Sequence, residues 1–153
     1  MNKFAALSAA LFAAALPTAA SAQASETVFQ CTLTNGKTVS VTARGDQLNY
    51  RYGTPRRAEL TLRGTPRSGN VHFMQQRYAS IQSQMRFTNG DYHYIVHSMG
   101  ASQVARSNSI SGLVVMRGNR RIADHSCRRY SEFEGGFEIR QQLPEDSEGW
   151  SVM

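Results

Sequence analysis

The chain has 153 residues, of which 41% are hydrophobic, and a formal net charge of +6. This length suits one domain with its own core. No apolar run reaches the roughly 20 residues that a transmembrane helix requires, so the composition argues against an integral helical membrane protein.

The first 22 residues have the pattern of a secretory signal peptide. Lys3 gives a positive start, residues 4–16 are mostly apolar, and residues 20–22 have the small-x-small pattern that signal peptidase cleaves. We therefore expect residues 1–22 to be removed after Ala22 and the mature protein to be periplasmic or secreted. The residue directly after the cleavage site is not a cysteine, so no lipid anchor is predicted.

The chain contains two cysteines, Cys31 and Cys127. In an exported protein such a pair is expected to form a disulfide. It would close a loop of about a hundred residues, for which the chain-entropy model gives a stabilisation of up to ~4.7 kcal/mol. A redox or metal role is not expected, because the spacing is not Cys-x-x-Cys.

Residues 23–130 have the alternating pattern of β-strands. Apolar residues recur with a period of two, and no stretch keeps a period of 3.6 for three turns. Turn signals recur at short intervals, among them Asn35-Gly36, Gly45-Asp46, Asn89-Gly90 and Gly118-Asn119. We predict an all-β domain over residues 23–130, an antiparallel β-sandwich or barrel of about 7–9 short strands with one disulfide.

The turn signal at Asn35-Gly36 predicts a three-residue loop that also includes Lys37. This loop pairs Cys31 with Val41 and places one clean apolar face toward the core, with Cys31 pointing inward. A two-residue loop would mix apolar and polar side chains on each face.

The turn signal at Asn89-Gly90 predicts a two-residue type I′ loop. Phe87 then faces Tyr92 on an apolar side of the hairpin. The opposite side is mostly polar and is predicted to face solvent; it carries Gln82, Gln84 and Arg86. The register of the next hairpin, at Gly118-Asn119, is not decidable, because the strand before it is apolar on both sides.

The end of the chain is acidic. Residues 131–153, which we call the acidic tail, contain one basic and six acidic residues, whereas residues 23–130 contain 15 basic and 5 acidic ones. Phe137 and Ile139 predict one more short strand, and we expect disorder from Leu143 onward. We expect the tail to lie loosely over the basic body through solvent-exposed contacts that salt screens.

The basic residues are the feature that points most directly to a function. The candidate anion-binding residues are Arg51, Arg56, Arg57, Arg117, Arg120, Arg121, Arg128 and Arg129. Guanidinium groups suit phosphate and acidic polymers. An exported protein rarely meets nucleic acid, so an envelope polyanion or a protein partner is the expected ligand. The alternative is that these charges only keep the surface solvated.

No catalytic residue, metal or cofactor is predicted. Asp124-His125-Ser126 contains the residue types of a hydrolase triad, but neighbours on a strand point to opposite faces. His93 and His97 would lie about 13 Å apart on a strand, too far to share one ion. His97 and Met99 could share an ion only with a further ligand such as His72.

Several short motifs resemble a family of small uncharacterised exported proteins of Gram-negative bacteria. They are Phe29-x-Cys31, Asn35-Gly36-Lys37, Gly45-Asp46-x-Leu48-x-Tyr50-x-Tyr52-Gly53 and Glu59-Leu60. The resemblance covers about the first third of the mature chain. It implies export and no particular activity.

These features predict a non-enzymatic exported binding or accessory module of the bacterial envelope, which contacts an anionic ligand or a protein partner through arginines. The alternative is a small periplasmic hydrolase whose site is assembled from dispersed residues. A Ser or His beside a carboxylate in a deep pocket would favour the hydrolase. A flat, arginine-bearing face would favour the binding module.

Overall fold

The structure, a computed structural model, describes residues 23–148 and is built from two antiparallel sheets. The strands are β1 (Glu26–Thr32), β2 (Thr38–Arg44), β3 (Gln47–Gly53), β4 (Ala58–Gly64), β5 (Val71–Arg77), β6 (Ile81–Asn89), β7 (Tyr92–Met99), β8 (Ile110–Arg117) and β9 (Arg120–Ser126), and the helix is α1 (Phe137–Gln142). Strands β1–β4 form the first sheet and β5–β9 the second, each in sequence order. The predicted all-β sandwich is confirmed.

Two parts of the chain lie outside the described residues. They are residues 1–22, the predicted signal peptide, and residues 149–153. Within residues 23–148, no helix is long and apolar enough to cross a bilayer.

Alternation along the first sheet separates a core face from a solvent face, except at the irregularity in β1 where Val28 and Phe29 are both buried. In β2, Val39 and Val41 are buried, whereas Ser40 between them is partly exposed. Across the sandwich, the Tyr50 ring of β3 lies 5.4 Å from the Phe87 ring of β6, measured between centroids. The two inner faces therefore share one core, as the alternation predicts.

The β1–β2 hairpin has the predicted three-residue loop, but the loop begins one residue earlier. The Leu33 N–H donates to the Lys37 carbonyl at 2.7 Å and closes a loop of residues 34–36. Gly36 ends this loop with a φ of 83°, the left-handed position that such loops reserve for glycine.

This change shifts the predicted pairing by two residues. Cys31 faces Val39 and not Val41. Because side chains alternate with a period of two, the shift preserves the apolar face and leaves Cys31 buried, as predicted.

The β6–β7 hairpin shows the same kind of correction. Asn89 pairs with Tyr92, so the two-residue loop is Gly90-Asp91, and Phe87 faces Tyr94. Gly90 stands first in the loop with a φ of 59°, where a type II′ turn places glycine, and not in the predicted type I′ arrangement.

The undecided β8–β9 register is settled by a similar loop. Arg117 pairs with Arg120 across Gly118-Asn119, and the pairing shifts by one residue between Val115 and Met116. A bulge of this kind cannot be read from a strand that is apolar on both sides.

The predicted disulfide between Cys31 and Cys127 forms, with the two Cα atoms 5.7 Å apart. It joins β1 of the first sheet to the residue that follows β9 of the second. Next to it, the Thr34 N–H donates to the Ser126 carbonyl at 2.9 Å. The covalent bond therefore lies where the ends of the two sheets meet.

The acidic tail packs against the core. Phe133 packs against Phe29, with ring centroids 5.1 Å apart and the ring planes tilted by 39°. Phe137 and Ile139 belong to α1 and not to the predicted strand. Ile139 and Leu143, the residue that follows α1, are buried in the core. The expectation of disorder from Leu143 is therefore wrong for residues 143–148.

Candidate functional site

Six basic side chains gather at one end of the first sheet, which we call the basic end. They are Lys37, Arg51, Arg56, Arg57, Arg128 and Arg129. Thr38 pairs with Gly53, so the β1–β2 and β3–β4 turns lie side by side at this end. The antiparallel order of the strands therefore places basic residues from distant parts of the sequence together.

Polar contacts join the two turns of the basic end. The Lys37 ammonium contacts the Glu59 carboxylate at 2.5 Å and lies 5.3 Å from the centroid of the Tyr52 ring. Asn35 donates from its side-chain amide to the Tyr52 hydroxyl at 3.1 Å. The hydrogen bond to Glu59 raises the pKa of Lys37, so this ammonium stays charged.

Arg128 reaches the β1–β2 turn from the second sheet. Its backbone N–H donates to the Thr32 carbonyl at 2.8 Å. A Cβ atom added to Gly36 would lie 3.8 Å from the Nη2 atom of Arg128, so the guanidinium covers this turn. A broad concavity of about 440 Å³ lies beside it and is lined by Cys31, Thr32, Arg128, Arg129 and Ser131.

Most charges of the basic end are free to meet a ligand. Arg56, Arg57, Arg128 and Arg129 are exposed, and within residues 23–148 none of them forms an ion pair with a carboxylate. Arg51 is half-buried and donates to the Thr54 carbonyl at 2.8 Å. Glu59, the acid in the adjoining turn region, is already paired with Lys37.

The other three candidate arginines lie at the opposite end of the sandwich. Arg117 and Arg120 flank the β8–β9 loop, and Arg121 forms an ion pair with Asp124 at 3.0 Å. Arg120 lies six positions before Ser126 in β9, which is about 20 Å along a strand. The eight candidate arginines therefore form two groups, five at the basic end and three away from it.

The solvent face of the first sheet continues from the basic end as a polar surface. One row across its four strands is formed by Gln30, Ser40, Arg51 and Thr61. Arg63 pairs with Asn49 and is therefore a diagonal neighbour of Arg51, at about 7–8 Å. The face offers hydroxyl, amide and guanidinium groups. Its alternation was visible in the sequence, but Arg63 and Thr61 were not predicted as site residues.

The far face of the second sheet differs from its prediction. Gln82, Gln84 and Arg86 were expected in solvent, yet Gln84 is 0% and Arg86 6% exposed. The reason is the acidic tail, whose residues 144–148 we call the C-terminal segment. This segment follows β5 and covers the neighbouring part of β6.

Backbone hydrogen bonds hold the C-terminal segment against β5, an edge strand of the second sheet. The Phe73 N–H donates to the Pro144 carbonyl at 3.0 Å, and the Asp146 N–H donates to the Phe73 carbonyl at 3.1 Å. Phe73 and Glu145 form a parallel bridge. The segment therefore satisfies part of the edge that β5 would otherwise expose.

Arg86 receives the acidic side chains of the C-terminal segment. Its Nε atom lies 2.9 Å from Oδ2 of Asp146, and its Nη1 atom lies 2.9 Å from Oε2 of Glu148. Its Nη2 atom donates to the Glu148 backbone carbonyl. Gln84 donates to the same Asp146 oxygen at 2.6 Å. Asp146 is only 4% exposed, so the expected loose and screened contact of the tail is wrong here.

Sequence reasoning missed this arrangement, although its signal was present. In the sequence, Gln82, Gln84 and Arg86 alternate with the apolar residues of β6 and had no assigned partner. Asp146 and Glu148 have the same two-residue spacing and also had none. The opposite charges of Arg86 and of this acidic pair were the available clue.

The cavity beside Arg86 is small. It measures about 80 Å³ and is lined by His72, Arg86, Thr88, His93, Asp146, Ser147 and Glu148, whereas substrate pockets usually measure roughly 300–1,000 Å³. Asp146 is hydrogen-bonded to Arg86, and the Nδ1 atom of His93 lies 3.0 Å from the Thr88 hydroxyl, so within residues 23–148 no hydrogen bond joins His93 to a carboxylate.

His97, one of the histidines considered as metal ligands, is buried, and burial lowers its pKa to about 4. Asp124 raises this pKa and Arg121 lowers it, each by a smaller amount. Among the described residues, no three His, Cys, Asp or Glu side chains lie close enough together to hold a metal ion.

Comparison with known proteins returned no relative. No protein-family model, no curated protein and no solved structure matches the chain.

Proposed function

We propose that the protein is a non-enzymatic exported binding module that contacts an anionic ligand through its basic end. The supporting observation is the convergence of five arginines and one lysine from separate parts of the chain. Four of these arginines are exposed and have no carboxylate partner within residues 23–148.

The shape and chemistry of the surface favour an extended ligand. The basic end continues into the solvent face of β1–β4, where Arg51 and Arg63 stand among hydroxyl and amide groups. A polymer that carries repeated carboxylate, sulfate or phosphate groups could meet several guanidinium groups at once. For an exported protein, the matching ligands are the polyanions of the cell envelope.

The test compares two double variants with the same change in net charge. Arg128→Ser with Arg129→Ser removes charges from the basic end, whereas Arg117→Ser with Arg120→Ser removes them from the opposite end. We expect the first pair to weaken binding of the mature chain to heparin and to lipopolysaccharide more strongly. The slope of log Kd against log salt concentration should fall by about one for each arginine–anion pair that the substitutions remove.

Two results would contradict the proposal. Equal weakening by the two pairs would mean that only net charge attracts the ligand. An unaltered chain that is not retained on either polyanion at low salt would mean that the basic end is a solvated surface without this function.

A further inference from the structure

The C-terminal segment is bound as an added strand is bound. The Phe73 backbone both donates to and accepts from the segment, through Pro144 and Asp146. In strand addition, such backbone bonds supply affinity and side-chain pockets supply specificity. The edge of β5 together with the Arg86 side chain therefore forms a groove, which we call the Arg86 groove.

The side-chain specificity comes from two carboxylates spaced two residues apart. The Ser147 N–H donates to the Glu145 carbonyl at 3.1 Å and turns the chain at Asp146, so that Asp146 and Glu148 both reach Arg86. Asp146 is the buried anchor, whereas the Glu148 side chain is 72% exposed. The groove thus recognises the pattern Asp-x-Glu in a peptide that forms one backbone bridge and then turns.

The groove also contains polar atoms that the C-terminal segment leaves unused. Oε1 of Gln84, Nε2 of Gln82 and Nδ1 of His72 are buried without a hydrogen-bond partner among the described residues. A buried ion pair adds little net stability compared with apolar packing, and its clearest use is to specify which partner binds. The ion pair between Arg86 and Asp146 is therefore the feature that selects the segment.

We propose that the Arg86 groove is a peptide-docking site whose partner in trans is the C-terminal segment of a second copy of this chain. This segment is the sequence that the structure shows to fit, and every copy carries both groove and segment. Exchange between two copies would therefore be reciprocal and two-fold symmetric. It involves a different surface from the basic end and stands independently of the function proposed above.

Exchange competes with binding in the same copy. The tether gives the segment of the same copy a high effective concentration, so the closed monomer is favoured in dilute solution. High protein concentration favours exchange because it raises the concentration of segments from other copies. Partial unfolding favours exchange because it releases the segment from the groove of its own copy.

The first experiment tests the groove with a labelled peptide of residues 142–148. In the mature chain, Asp146→Asn with Glu148→Gln weakens the segment in place, and this variant should bind the peptide at least tenfold more tightly than the unaltered chain. Adding Arg86→Gln should abolish binding. A peptide with the same two amide substitutions is the control. Equal binding of the two peptides, or no binding by a variant that melts cooperatively, would overturn the proposal.

The second experiment uses the unaltered chain, so it does not depend on a variant that folds. Normal and isotope-labelled copies are mixed at high concentration, partly unfolded in urea and refolded, and native mass spectrometry then counts mixed dimers. We expect mixed dimers, and we expect Arg86→Gln to remove them. Monomers alone would overturn the second copy as the partner, even if the groove binds the free peptide.

Discussion

A single buried histidine couples the stability of the second sheet to pH. His97 lies on β7 opposite Gln84, and burial lowers its pKa from 6.5 to about 4. The unfolded chain therefore binds a proton at this site between about pH 6.5 and 4, whereas the folded chain does not. Stability from this group is present above pH 6.5 and is lost as the pH falls through this window.

We expect the free energy of unfolding to fall by about 2 kcal/mol from this group between pH 7 and pH 5. His97→Gln should remove that part of the pH dependence, because glutamine does not titrate. Urea denaturation of the two proteins at both pH values measures the difference. An unchanged pH dependence in His97→Gln would show that the histidine is solvated.

At the level of elements, glycine at the first loop position closes several hairpins. Gly45, Gly90 and Gly118 each stand first in a two-residue loop, and each has a φ between 55° and 59°. Other residues adopt this left-handed conformation at a cost, because their Cβ atom approaches the backbone. The position of glycine therefore decides where each loop begins.

Gly90→Ala isolates this backbone effect. A Cβ atom at Gly90 would meet nothing within 4 Å, so the loss of about 1–2 kcal/mol should come from the positive φ alone. Gly100→Ala is the control, since no left-handed φ occurs there and the nearest atom to its Cβ would be 3.9 Å away. Denaturant midpoints that change equally in the two variants would refute the loop geometry.

The faces of the strands could be predicted, but their registers could not. Side chains alternate with a period of two, so the apolar faces of Cys31 and Phe87 survive a shift of two residues. The register depends on which loop residue takes the left-handed conformation, and Asn-Gly does not specify this. A short apolar pattern such as Phe137-x-Ile139 also fits either a strand or a helical turn, and packing decided for α1.

The candidate site was predictable only in part. Arginines at the basic end stood near turn signals, so their exposure followed from the sequence. Their division into two groups depends on strand order, which local patterns do not contain. The burial of Arg86 could not be derived from β6 alone, because it comes from Asp146, 60 residues further along the chain.

For the whole molecule, the acidic tail belongs to the folded sandwich. It connects the two sheets through Phe133, which contacts Phe29 of β1 and Phe73 of β5. Arg140 of α1 lies 5.4 Å over the Phe73 ring. A chain end that looked like a charged appendage thus supplies packing between the two layers.

Truncation of the tail tests this view. A chain that ends at Leu143 loses both backbone hydrogen bonds to Phe73 and the two carboxylates that contact Arg86, so we expect a loss of about 1–3 kcal/mol. It also exposes the β5 edge, which should increase light scattering on heating. A chain that ends at Glu148 is the control, because it keeps every contact described above. Equal urea midpoints for the two chains would show that the tail contact is only a screened surface interaction.

The disulfide has a topological consequence for this arrangement. Cys31 and Cys127 are 96 positions apart, and β2 to β9 lie entirely within the covalent ring that they close. The tail lies outside that ring. We therefore expect the tail to open before the part of the sandwich that the ring restrains, and hydrogen exchange would show this as amide protons of the tail that exchange ahead of those in the ring.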